Sequence, residues 1–185
     1  LIGPGGHAAA RALLLTAMAS TRHPQVVALA ADLRGLLGVR EPGAELPACV
    51  HVVGDLATAL EYLNSEHRPE STRWIFMASA PAGEPDRARL QRALAEGGAS
   101  ALLLGQWHPG VTAYVNTAGT ITATSPGPGE VLRGQRAFSL PESATRELFA
   151  LFDTAHGAHD EHPAPALEPT RGLEITDPPA LDQAD

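Results

Sequence analysis

The chain has 185 residues, 44% of them hydrophobic, which suffices for one domain of ordinary size with a real core. Its net charge of −8 disfavours nonspecific attraction to nucleic acid or to an anionic membrane surface. All 13 basic residues are Arg, which excludes phosphate-loop, Schiff-base and general-base lysines; the single cysteine, Cys49, excludes an internal disulfide and points to a reducing, cytoplasmic compartment.

In chain order, Leu1-Ile2 reads as the end of a strand, Gly3-Pro4-Gly5-Gly6 as a sharp turn, and Ala8 to Met18 as a strong helix former. Gln25 to Ala31 forms a short buried strand, and "DLRGLLG" a brief helix stopped by Gly38. "CVHVVGD" is the next strand, followed by a helix with Leu56, Leu60 and Leu63 on one face and Asp55 as its cap. "TRWIFMASAP" has the unbroken apolar character of a strand buried on both faces. The amphipathic helix "EPDRARLQRALAEGG" closes at Gly97 and Gly98, and "SALLLGQW" is a further buried strand.

From His108 the rhythm changes. "VTAYVNTAGTITATS" alternates around a Thr117-Ala118-Gly119-Thr120 turn and predicts an edge hairpin, "QRAFSLP" one more short strand, and "ESATRELFALFDTAHG" a last helix opened by Pro141 or Ser143. Strands alternating with helices predict an α/β three-layer sandwich with about five parallel strands. Residues 1–157 form this domain, and the Pro- and acid-rich 158–185 an acidic, disordered tail or linker.

The first turn admits two ligand readings. Against the phosphate-loop pattern G-x-x-x-x-G-K-[ST], counting from Gly3, Ala8, Ala9 and Ala10 stand where Gly, Lys and a hydroxyl belong, removing both the cation and the Mg²⁺ ligand. Against the dinucleotide pattern G-x-G-x-x-A, Gly3, Gly5 and Ala8 match, with Asp32 as the ribose-binding acid. Asp32 lies beyond the usual separation of about 20 residues, and no dehydrogenase constellation completes the site.

The stretch "ELPACVHVVGDLATALEYLNSEHR" resembles FtsK-like DNA-pumping motor ATPases, in which a Leu-Pro loop precedes a Val-Val-x-Asp strand and a helix. "SALLLGQWHPG" is similar to that family's strand ending in Gln and Pro, here Gln106 and Pro109. The resemblance covers residues 1–152 in outline and implies a phosphate-loop fold. It also implies a lost activity, since Ala78 and Ser79 stand where the family closes its strand with a metal-binding carboxylate. The resemblance further implies a setting in actinobacterial membrane-tethered proteins with LysM and transcriptional activator regions, in keeping with a composition rich in Ala, Arg, Gly and Pro.

The resulting expectation is a pseudo-ATPase, with no catalytic residue and no cofactor, that acts as a regulatory or scaffolding module. Its partner is a protein or a neighbouring domain of the same chain, with no direct nucleic-acid contact and membrane association only through flanking segments. The interaction surface is expected at Gly5, Gly6, His7, Gln106, Trp107 and His108, with Trp107 its anchor or else a core residue. His156, His159, Asp160 and His162 have metal-ligand chemistry, but a solvated linker explains the same residues, so no metal is expected.

Overall fold

The computed structural model describes residues 1–21, 23–39, 46–64 and 72–160, the stretch 153–160 by its backbone alone. Five α-helices and six strands follow in the order α1 (Gly6–Ala19), β1 (Pro24–Leu29), α2 (Ala30–Leu37), β2 (Val50–Val53), α3 (Leu56–Asn64), β3 (Arg73–Ser79), α4 (Glu84–Gly97), β4 (Ser100–Leu104), β5 (Ala113–Val115), β6 (Ile121–Thr124) and α5 (Glu142–Asp160) among the described residues. Four strands form an all-parallel sheet in the order β2-β1-β3-β4, and β5-β6 is a small antiparallel hairpin.

Leu1 and Ile2 stitch the two sheets together. The Leu1 nitrogen donates to the Leu103 carbonyl, and the Leu1 carbonyl accepts from the Gly105 N–H. On the other side Ile2 donates to Ala113 and accepts from Val115, a parallel bridge to Tyr114. The strand before the glycine turn thus runs between β4 and β5, so β3 and β4 separate it from β1.

The layers follow from which side chains each strand sends to each face. Val26, Ala28, Ile75 and Met77 pack against α1, α2 and α5 through Leu14, Leu36 and Phe149, while Val27, Phe76 and Ala78 pack against Ala59, Leu63 and Leu90 of α3 and α4. The expected three-layer α/β sandwich with an edge hairpin is therefore present, with four strands in the parallel sheet instead of about five.

Local chemistry set several boundaries as expected. Gly38 and Gly98 end α2 and α4 in the left-handed region, at φ +65° and +60°, where a side chain is strained. Asp55 caps α3 by accepting the Thr58 N–H at 2.9 Å, and the Pro141 carbonyl opens α5 by accepting the Thr145 N–H. The hairpin turns on Asn116, whose Oδ1 accepts from Ala118 and Thr120, with Gly119 at φ +80°.

Three expectations need correction or fall outside. The strand expected to run to Ala31 ends at Leu29, because Ala30 already begins α2. "QRAFSLP" forms only a single bridge between Arg136 and Thr120, since the chain leaves β6 to place the Leu140 N–H on the Ala8 carbonyl. The backbone of α5 continues to Asp160, and the rest of the expected tail lies outside the described residues.

Candidate functional site

The glycine turn is taken up by the hairpin. The Gly5 N–H donates to the Val115 carbonyl and the Gly6 N–H to the Gly3 carbonyl, both at 3.0 Å, so two of the amides a phosphate cradle would need are already spent. Gly3, at φ +90°, admits the Val115 carbonyl and the Tyr114 ring, which a Cβ would meet at 2.5 and 3.1 Å. A Cβ on Gly5 would collide with the Asn116 carbonyl oxygen. These glycines permit close approach of backbone to backbone.

Because α1 starts at Gly6, the positions compared with the phosphate-loop Lys and hydroxyl already lie in the helix and face inward. Ala9 is 0% exposed against Ala113, Val115 and Ile121, and Ala10 is 0% exposed in the main core. Ala8 is half-buried, and its carbonyl is used by Leu140. His7 alone of this group is exposed. Nucleoside triphosphate and Mg²⁺ therefore do not fit these residues.

Asp32 does not stand at a strand end. It lies in the first turn of α2, where its carboxylate accepts both the Ser79 N–H, at 2.8 Å, and the Ser79 hydroxyl, at 2.5 Å. Adjacent strands followed by helices on opposite faces leave a crevice at their carboxyl ends, and here this pair closes it between β1 and β3. A ribose would have to displace Ser79 from both bonds.

Gln106, Trp107 and His108 follow β4 and line an open groove of about 480 Å³ together with Ile2, Tyr114 and Ala123. Gln106 and His108 are exposed, whereas Trp107 is 9% exposed and packs with Val27, Phe76 and Leu90. Trp107 is thus a wall of the groove and part of the core, not a free anchor. Gly5 and Gly6 are buried, and neither they nor His7 line the groove.

Two clusters escaped sequence reading. Arg11, 7% exposed, donates Nε to the Leu140 carbonyl and Nη1 to the Leu36 carbonyl, both at 2.7 Å, with Glu142 3.9 Å away. On the other face, His51 bonds the Gln25 side chain and lies near the rings of Tyr62 and Trp74, at ring-centre distances of 5.4 and 6.0 Å. An Ala-rich helix and a four-residue edge strand carry no sign of either.

Burial pushes the His51 imidazole below its ordinary range. The unfolded chain therefore binds the proton more tightly than the folded one, so stability is complete above roughly pH 6.5 and falls as pH drops from there through the lower folded pKa. Urea titrations at pH 7.5 and 5.0 should show this loss, and His51→Leu should make it smaller. An unchanged pH dependence in the variant would remove His51 from this role.

Among the described residues no group of three or more His, Cys, Asp and Glu side chains could hold a metal ion, and no helix is long and apolar enough to cross a membrane. The side chains of His156, His159, Asp160 and His162 lie outside the described residues. No family model, curated protein or solved structure matches the chain.

Proposed function

We propose that the chain is a non-catalytic regulatory or scaffolding module of a larger, membrane-tethered or transcription-linked bacterial protein. It is laid out like a phosphate-loop ATPase and has lost that chemistry. The observation carrying this reading is the state of the glycine turn: its amides bond the hairpin, and Ala9 and Ala10 are core residues. Ser79, where the family has its carboxylate, is occupied by Asp32. A module without a reaction centre works by contact, with a protein partner or with neighbouring domains. Exposed apolar side chains beyond β4, among them Val131 at 76% and Phe138 at 87%, supply contact area that Trp107 does not.

The alternative is a dinucleotide-binding domain of an oxidoreductase. It is favoured by the short turn, in which Gly3 and Gly5 lead directly into α1 and Ala8 lies in its first turn. Strand order weighs against it, because a dinucleotide fold sets the glycine-turn strand beside the strand after its helix, whereas β3 and β4 intervene here. Titration calorimetry with Mg·ATP and with NADPH separates the readings. Neither ligand should bind with a Kd below about 100 μM. Micromolar Mg·ATP affinity would sink the proposal, and micromolar NADPH affinity weakened by Asp32→Ala would establish the alternative.

A further inference from the structure

The groove beside Trp107 is built on the hairpin side of Leu1-Ile2, on a face that no helix among the described residues covers. Ile2 pairs with Tyr114 and Tyr114 with Ala123, so these three share one face, while Ala113, Val115 and Ile121 turn to the opposite face against α1. On the groove side α3 and α4 cover β1, β3 and β4, and Trp107 marks the limit of that cover.

The walls are fixed without a ligand. The Thr112 hydroxyl accepts the Trp107 N–H at 3.0 Å and donates to the Trp107 carbonyl at 3.1 Å, while the Thr112 N–H donates to the Ser125 hydroxyl at 3.0 Å. Ser125 returns its own N–H to the Thr112 carbonyl at 2.8 Å. Gly110 lets the loop close on Trp107, whose Cδ1 a Cβ there would meet at 2.9 Å. These bonds pin the loop after β4 to the end of β6.

Charge narrows the occupant. Among the described residues no Arg, Asp or Glu lines the groove, so a phosphate, carboxylate or ammonium entering it would lose hydration with no counter-charge from them. What the groove offers is a platform and a rim. The Tyr114 ring, 39% exposed, is braced by the backbone at Gly3, and the Gln106 and His108 side chains have no hydrogen-bond partner among the described residues. An amide, an imidazole and a hydroxyl each donate and accept.

We infer that the groove formed by Gln106, Trp107, His108, Tyr114 and Ala123 binds a neutral saccharide unit. A pyranose ring presents an apolar C–H face to an aromatic platform and hydroxyls, which also donate and accept, to the rim. A nucleobase is the poorer match, because Trp107 is buried and supplies no second stacking face. The inference is independent of the proposed function, which nucleotide titration tests.

The test is an amide chemical-shift titration of the whole chain with maltose, cellobiose and N,N′-diacetylchitobiose, each to about 20 mM, and with adenosine as counter-probe. Saturable shifts with at least one sugar at Gln106, His108, Tyr114 and Ala123 are expected. Gln106→Ala and Tyr114→Ala, each checked for an unchanged melting temperature, should weaken binding about tenfold or more. If one variant fails to fold, the other carries the test. No saturable shift with any of the three sugars overturns the inference, as do shifts insensitive to the folded variant or saturation by adenosine alone.

Discussion

Replacing Arg11 by Met should lower the unfolding free energy by about 3 kcal/mol or more, although Arg11 touches no candidate ligand site. The guanidinium satisfies two carbonyls from separate elements: Leu36 in the last turn of α2 and Leu140 on the approach to α5. Carbonyls in a helix's last turn have no intrahelical partner and carry the negative end of the dipole, so a buried cation there offsets both deficits. Met keeps much of the aliphatic stem but leaves two acceptors short of a partner, each costing about 1–3 kcal/mol when buried. Glu142, whose side chain is half-exposed at 3.9 Å, adds little by comparison. In urea the midpoint should fall with the slope unchanged, whereas Arg92→Met, on an exposed face of α4, should stay within about 0.5 kcal/mol. A midpoint for Arg11→Met equal to that of Arg92→Met would show that α1, α2 and α5 hold together without this bond set.

What the sequence made legible was whatever a short window of residues decides. Gly38 and Gly98 announced helix ends because only glycine takes the left-handed cap without strain, and Asp55 announced a cap by its side chain's reach to a nearby amide. Apolar runs such as "WIFMAS" marked buried parallel strands, and Gly119 within the Thr117-Ala118-Gly119-Thr120 turn marked the hairpin, although the part Asn116 plays in that turn was not read. Long-range placement was hidden. Nothing in Leu1-Ile2 says that it runs between β4 and β5, since that position depends on bonds to residues about a hundred places along the chain. Arg11 looks like any arginine on a surface helix until α5 covers it, and Asp32 looked like a ribose ligand until β3 brought Ser79 beside it. Trp107 followed a strand end where ligands are expected, yet its ring completes the core under α3 and α4. The glycine turn is the clearest case: the residues that give a cradle its shape also let a hairpin carbonyl enter it.

That distinction decides what happens when the residues of the phosphate-loop pattern are introduced. Ala9→Lys supplies a cation at the position the pattern assigns to it, but position 9 is fully buried against Ala113, Val115 and Ile121. The new side chain must bring an ammonium into an apolar contact with no carboxylate beside it or push α1 off the hairpin. Either route should cost about 3–5 kcal/mol, a large share of the 5–15 kcal/mol typical of a domain. Adding Ala10→Ser deepens the loss, because Ala10 is equally buried in the main cluster. Supplying an acid by Ser79→Asp sets a second carboxylate against Asp32 and removes a hydroxyl that now donates to it. The triple variant should therefore melt well below the parent and show no Mg·ATP binding by calorimetry, even at temperatures where it is still folded. A variant that keeps the parent's melting temperature and binds Mg·ATP would mean that the turn opens to receive phosphate. It would also return Ala9 and Ala10 to the role the pattern first suggested.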